Sequence, residues 1–585
     1  EHNLLQLSLQ EQEQLKTLPL LKLPPQYKTK SLPIEVDNSL LPYYPGLFLQ
    51  SGLSCGQVAA VSIGLTYELC RLRNLDGTDI ANNYPSHFAW NWENGGQGYY
   101  GASYYHSFEL MRLVGIPTTE VYGGSFDHGG SNRWMTGYDA YYNAMQNRIH
   151  KAWAIKLDTE EGILTLKNWL NDHLDGSEDG GVAFFYANYK GRDGVLPASS
   201  AHAGEGVITN WGGTSHAYTI VGYSDEVKWD FNGDGQYTNH IDINGDGIVD
   251  VRDWEIGAFK VINNYSTPYH AWAPYKTFAG DGISPSSGAW NYTANVIEAK
   301  AETNPQLTYK INLYYSKRGR IKIRTGMSTN IYANQPEHII EFPIINNQGS
   351  DVGMLGTNED ADRYMEFGLD VSPFLNFIEP GTQAKFFFEI IETDPEQWGS
   401  GRVISFSLMD YTNGLSETIC EQSDVHITNN TTTQLSIVAN INYEQVNIIT
   451  EELPNADIYE DYEFQLEAEG GTEPYIWELD TDYNITSSTA VMPNDITSSF
   501  SGSYIDLPFT FNFYGKPYTR IYISNQGHID FSGSSYNTPY SHELLSSFMT
   551  FPCIAACLTS QYSFSTYLKV EDDYVAVRWT HANFI

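Results

Sequence analysis

The apolar residues of this chain change their period once, near residue 180, and that change limits the architectures open to it. From Cys55 the residues Val58, Val61, Leu65, Leu69 and Leu72 recur every three or four positions, with Arg71 and Arg73 in the last turn and Gly77 beyond. The pattern predicts one buried helix that starts at Cys55. Phe108, Met111 and Leu113 predict a second helix. Ile163, Leu166, Leu170 and Leu174 predict a third, opened by Asp158 with Glu161 as its capping pair. Past residue 180 short apolar runs bounded by glycine take over, among them Ala217 to Tyr223 and Ala258 to Ile262, and these read as strands. Helices first and strands later imply an α+β domain, placed at residues 33–282.

At 585 residues the chain exceeds what one core supports, so it is expected to be multidomain. Residues 283–450 carry strand-like runs at Ile311 to Tyr315, Arg320 to Arg324, Phe386 to Ile391, Val403 to Met409 and Gln434 to Ile441, and read as a β-sandwich. Residues 451–461 are acidic and read as a linker. Residues 462–585 read as a second all-β domain, from Phe509, Phe511 and Phe513 in alternation, then Ile521 and Ile523, the turn Ser524 to Gly527, and Ile529 and Phe531. The strand-like Tyr574 to Trp579 has almost nothing after it, so this domain is expected to be cut short. Residues 1–32, rich in Leu, Gln and Pro, read as a tail or the remnant of a pro-segment, with an extended arm on the next domain as the alternative.

The balance of 32 basic against 71 acidic residues, a net charge of -39, excludes a phosphate-binding stripe, and nucleic acid is not an expected partner. No apolar run reaches the roughly 18 residues that cross a bilayer. The chain starts at Glu1, which fits a targeting segment already removed, so a secreted or cell-surface protein is expected. Five cysteines are too few for a disulfide framework, and their odd number leaves a thiol over.

Cys55 lies in Gln50-Ser51-Gly52-Leu53-Ser54-Cys55-Gly56, a loop running into an apolar helix. A thiol at a helix N-terminus meets the positive end of the dipole and unpaired N–H groups, which favour the thiolate. By itself such a cysteine is more often structural, as Cys70 on the same helix illustrates. Two distant segments argue otherwise. Thr214-Ser215-His216-Ala217 places a histidine at the mouth of an apolar strand, which His106, His128 and His202 do not share, and Lys260-Val261-Ile262-Asn263-Asn264-Tyr265-Ser266 follows. These segments resemble the Cys, His and Asn motifs of papain-like cysteine peptidases, in that family's chain order. Ala60-Val61 stand at the family's distance from the Cys, and Tyr84 to Phe88 resembles its Leu-Ser-x-Gln segment. Asn94-Gly95-Gly96 through Gly101 resembles the glycine-rich wall of its substrate cleft.

The resemblance covers residues 33–282 and is nearest to bacterial exported members with trailing β domains. It implies a protein or peptide substrate, Cys55 as nucleophile, His216 as base and then acid, Asn263 as the residue orienting the imidazole, and Gln50 as an oxyanion donor. Gly95, Gly96 and Gly101 would line the substrate. The chain departs from the family in placing Gln50 five residues before Cys55 instead of six, and in having Gly56 and Tyr265 where the family has tryptophans. Those departures motivate two other readings: a binding protein or adhesin with an inactive papain-like domain, and a transglutaminase-like acyl transferase. Gly470 to Trp477 resembles the opening of bacterial immunoglobulin-like repeats, and the aromatic-rich β domains are candidates for cell-surface or polysaccharide contact.

Between His216 and Asn263, Asp242-Ile243-Asn244-Gly245-Asp246-Gly247-Ile248-Val249-Asp250-Val251-Arg252-Asp253 matches a twelve-residue calcium loop. Asp242, Asn244, Asp246, the Ile248 carbonyl, Asp250 and Asp253 are its expected ligands, and Gly247 makes the sharp turn. Upstream, Asp230, Asn232, Asp234 and Gln236 repeat the first half, but the twelfth position there is Ile241. The loops define an insertion at about 228–256, and calcium there is expected to hold the catalytic strands in place, so that chelation lowers activity and thermal stability together.

Overall fold

The computed structural model describes residues 7–450 apart from 97, 99, 124–131, 282–286 and 350, then 466–470 and strands between Ser498 and Thr580. The chain divides into two compact units, Glu1–Tyr475 and Ile476–Ile585.

The helix that starts at Cys55 is mostly apolar through its middle and is buried on every side as far as Cys70, while Leu72 in its last turn is exposed. It runs as Cys55–Gln57, then a stretch of wide π-type turns over Val58–Leu65 with all eight residues buried, then Thr66–Arg73. Gly64 lets it press on the sheet, since a Cβ there would meet the Phe184 ring at 3.1 Å. The sheet has nine strands in the order Ile149–Lys156, Thr293–Ala299, Ala183–Ala187, His216–Lys228, Ile256–Asn263, Tyr269–Pro274, Gly206–Val207, Gly194–Val195, with Glu35–Asp37 also on His216–Lys228. The expected strands at 217–223 and 258–262 are the two central ones.

Three local expectations are corrected. The first domain does not close at residue 282, because Thr293–Ala299 pairs with Ile149–Lys156 along its length and with Phe184 of the next strand, so this sheet needs a strand from beyond that boundary. The helix Glu160–Asp172 is capped by Thr159, whose extended backbone lets its side chain accept from the Gly162 N–H, and not by Asp158. It ends before Leu174 because His173 and Leu174 take φ of +59° and +60°.

From residue 7 the N-terminal segment is an arm packed on the domain. Ser8 and Glu11 form a capping box for the helix Leu9–Lys16, and Leu7 and Leu15 enter the core. Farther on, Leu21 N–H donates to the Ala154 carbonyl at 2.9 Å and Ala154 N–H to that of Pro19 at 2.8 Å.

Beyond residue 300, two antiparallel sheets face each other. One orders Tyr364–Asp370, Leu307–Tyr315, Gly401–Asp410 and Ser416–Ile419, with Val425–His426 on Gly401–Asp410. The other orders His338–Glu341, Ile321–Ser328, Thr382–Glu392 and Thr432–Ile441. Phe388 and Phe406 meet across them at 5.6 Å. This sandwich shares a compact unit with the first domain. The Arg318 guanidinium lies 3.9 Å from the Trp134 ring centroid, and Trp134 stacks on Trp92 at 3.8 Å. Tyr138 and Thr308 hydroxyls meet at 2.5 Å, and Arg148 pairs with Asp370 at 2.6 Å.

In the second unit one sheet joins Ser498–Phe500, Ser565–Val570 and Val575–Thr580, and another joins Ser503–Phe513, Lys516–Ile523, His528–Asp530 and Cys553–Ala555. The expected linker at 451–461, the segment from Gly471 to Trp477, the turn Ser524 to Gly527, and Phe531 lie outside the described residues. Among the described residues no helix is long and apolar enough to cross a membrane.

Arg318 also donates to the carbonyls of Met354 and Asn132 at 3.2 and 3.4 Å. Removing it strands buried acceptors and the Trp134 face, so Arg318→Ala is expected to cost about 2–4 kcal/mol, read as a lower denaturation midpoint at unchanged slope.

Candidate active site

Cys55 is presented by a loop whose polar groups are spent on holding the loop itself. Ser54, at the N-cap position, turns its hydroxyl to the Ser51 carbonyl at 2.9 Å and so leaves the first helical N–H groups uncapped. Gln50 N–H donates to the Asn264 carbonyl at 2.8 Å, and His87 Nε2 meets the Ser51 carbonyl at 3.2 Å. Gly52 has φ of +65°, and a Cβ there would lie 2.8 Å from the Trp90 ring. The loop is thereby fixed on the helix Ser86–Glu93.

The thiol is buried, with Cys55 2% exposed. Burial pushes it up to about 11, while the N–H groups of Ala217, Gly56 and Cys55 itself, hydrogen-bonded at the sulfur, pull the other way. The Ala217 contact is informative because it brings the residue after His216 to the Cys55 sulfur.

His216 opens the strand His216–Lys228 and is fully buried. Its Nε2 lies 2.8 Å from Asn263 Oδ1. The amide of Asn263 is oriented by its nitrogen, which donates to the carbonyls of Tyr265 at 2.7 Å and Thr267 at 3.3 Å, so the oxygen must face the imidazole. An amide oxygen only accepts, so Nε2 carries the hydrogen and Nδ1 keeps its lone pair. Nδ1 is buried and has no hydrogen-bond partner. Burial pushes His216 down to about 4, against the opposing effect of the Asn263 bond. Burial thus favours the neutral thiol and the neutral imidazole over their charged forms.

The structure brings Cys55, His216 and Asn263 to one place. It directs Gln50 elsewhere, because its Nε2 donates to the Gly52 carbonyl at 3.2 Å. Gly95 and Gly96 take φ of +64° and +72° in the turn after the helix Ser86–Glu93. Beyond Gly101 the chain returns to the nucleophile, for a Cβ on Gly56 would lie 2.7 Å from the Ala102 carbonyl oxygen and 3.1 Å from the Tyr186 hydroxyl. Tyr186 is a participant that sequence reasoning missed. Its ring stacks on Tyr104 at 4.2 Å and its hydroxyl accepts the Tyr104 N–H at 2.7 Å, filling the space into which a side chain at position 56 would project. Tyr186 lies in an unremarkable apolar strand far from Cys55 in sequence, so no motif signals it.

The insertion connects the strands His216–Lys228 and Ile256–Asn263 at the end remote from His216 and Asn263. A thirteen-residue strand puts it about 40 Å from His216. The insertion's two loops share one internal pattern. Asp242 accepts from the N–H groups of Gly245 and Gly247, Asn244 from Asp246, and Asp246 from Ile248. Asp230, Asn232 and Asp234 do the same for Gly233 and Gly235, Asp234 and Gln236. The closing acid Asp253 accepts the Ile243 N–H at 3.0 Å. In the first loop Glu255 accepts the corresponding Phe231 N–H at 2.8 Å, taking the part that Ile241 cannot. Arg252 spans the second loop, pairing with Asp246 and Asp250. Among the described residues no three acidic, histidine or cysteine side chains converge as a metal-binding group. The oxygen-only donor set suits a hard cation, and Arg252 occupies two of its carboxylates.

Gly56→Ala is expected to slow alkylation of Cys55 by about 10- to 100-fold through displacement of the nucleophile turn. Parallel thermal melts separate this from unfolding, and an unchanged alkylation rate would show that the turn tolerates the methyl group.

A family profile described as "NIDO related" matches residues 479–562. Among solved structures the chain is similar to procathepsin B S9 from Trypanosoma congolense, with 13% identity and a TM-score of 0.32, covering 51% of this chain and 87% of that one. No curated protein matches the chain.

Proposed function

We propose that this protein is a secreted cysteine endopeptidase of the papain-like type. The observation that carries the reading is the Asn263–His216 bond, which leaves the free Nδ1 of a buried imidazole on the residue adjoining the Cys55 sulfur's N–H donor. In this mechanism Nδ1 takes the thiol proton as the sulfur attacks the scissile carbonyl, then returns it to the leaving amine, and water hydrolyses the thioester with the same base. The Cys55 N–H supports the oxyanion, and Gln50 joins it by exchanging the Gly52 carbonyl for the substrate oxygen. The glycine turn at 95–101 lines the substrate, and the β domains, the terminal one immunoglobulin-like, serve surface or polysaccharide contact.

One observation favours a second reading. With Cys55 and His216 both shut from solvent, the domain would serve as a binding module without turnover. An epoxide or iodoacetamide probe with casein as substrate separates them. The peptidase reading expects labelling and cleavage, both lost in Cys55→Ala, and a fall in kcat on the order of a hundredfold in Asn263→Ala. Absence of both in the native chain would favour the binding module, and labelling without cleavage an acyl transferase.

The pH dependence has a definite sign. His216 must be unprotonated to accept the thiol proton, and a proton affinity pushed down to about 4 keeps it so in mild acid. The acid limb of kcat/KM is therefore expected below the ordinary imidazole range, and a limb near 6.5 would contradict a sealed base.

Calcium is proposed as a structural ion of the insertion, held by Asp242, Asn244, Asp246, the Ile248 carbonyl, Asp250 and Asp253, with a second ion at Asp230, Asn232, Asp234, Gln236 and Glu255. It would brace the far end of the catalytic hairpin. Saturating calcium is expected to raise the melting temperature by a few degrees, an effect lost in Asp242→Ala, and chelator is expected to lower activity chiefly at temperatures where the chelated protein begins to melt. A melting temperature indifferent to calcium would sink the proposal.

A further inference from the structure

The His216 ring is walled by three tyrosines. Tyr218 on its own strand lies at 4.7 Å and 89°, Tyr189 at 5.5 Å and 88°, and Tyr265 at 5.9 Å and 54°. Tyr218 is buried in the core. Tyr265 is tied to the catalytic amide, its N–H 3.3 Å from Asn263 Oδ1 and its carbonyl accepting from Asn263 Nδ2. Tyr189 comes from a separate element, the loop after the strand Ala183–Ala187, and reaches over to meet Tyr265 edge-on at 5.3 Å and 87°. Both Tyr189 and Tyr265 are half-buried.

The loop that carries Tyr189 is held on both sides. Tyr189 N–H donates to the Ser215 hydroxyl at 3.0 Å, the residue just before His216. Lys190 N–H donates to the Tyr218 hydroxyl at 2.8 Å, and that hydroxyl reaches the Asn188 carbonyl at 3.2 Å. Gly213 beside it takes φ of +61°, a conformation that favours glycine. A half-exposed tyrosine on an accidental surface loop needs no such bracing.

We propose that Tyr189 is a positioning residue for His216: its ring, set against Tyr265, seals the imidazole from water and so fixes the pH range in which the base accepts the thiol proton. This rests on the peptidase reading of Cys55 and His216. The groups that meet the ring are Asn263 from the neighbouring strand and the rings of Tyr189, Tyr218 and Tyr265, with the Cys55 sulfur bonded to the N–H of the adjoining Ala217. The influences on His216 are burial and the Asn263 bond, with no ionised side chain among them. Its proton affinity is therefore governed by solvent access, which Tyr189 controls from the outside. Losing the ring admits water and relieves the burial that disfavours the imidazolium.

The test is the rate of Cys55 alkylation by iodoacetamide in the full chain between pH 3.5 and 8, which needs no peptide substrate. Native protein is compared with Tyr189→Phe, Tyr189→Ala, Tyr189→Ser and His216→Ala, each checked by thermal melt. Tyr189→Phe is expected to keep the native acid limb, while Tyr189→Ala and Tyr189→Ser move it up by about one to two pH units toward the ordinary imidazole value. Limbs unchanged in the Ala and Ser variants overturn the proposal, as does a Phe variant shifted as far as Ala. A His216→Ala profile identical to the native one would instead overturn the peptidase reading itself, so the two failures are distinct.

Discussion

The antiparallel pairing of His216–Lys228 with Ile256–Asn263 is the constraint on which the site depends. Thr219 lies opposite Ile262, so the start of one strand and the end of the other meet at one edge of the sheet. That register sets the 2.8 Å bond between His216 and Asn263, and with it the tautomer of the imidazole. Cys55 is then brought to this edge by a separate helix, whose stretch Val58–Leu65 is buried on every side in the middle of the domain. Shifting either strand by one residue would turn His216 or Asn263 to the opposite face and dissolve the arrangement.

Burial and chemistry pull against each other here. The enclosure that orders the three side chains also disfavours both a thiolate and an imidazolium. The backbone N–H groups at the sulfur and the amide oxygen at Nε2 are the local groups that favour the charged forms. Three tyrosines pack around the site: Tyr186 against Gly56, and Tyr189 and Tyr265 against the His216 ring.

The insertion belongs to the same hairpin but to its other end. Its paired loops are built from short Asx-type turns closed by Asp253 and Glu255, both buried carboxylates that accept backbone N–H groups. They lock the distal connection of the two strands, which supports their register at the end away from His216 and Asn263.

The sequence by itself determined the period change from helix to strand, the helix starting at Cys55, the central strands that begin at His216 and end at Asn263, and the oxygen-bearing loops of the insertion. These are legible because each is local: a spacing of apolar residues, a glycine at a fixed offset, a polar residue at a strand end. Tertiary structure alone decided that Thr293–Ala299 completes the first sheet, that the sandwich joins the first domain through Arg318 and Trp134, that Gln50 turns to Gly52, and that Tyr186 and Tyr189 complete the site. Each of these last is a contact between segments whose own patterns are indifferent to the partner, and only the closing of the chain on itself chooses among them.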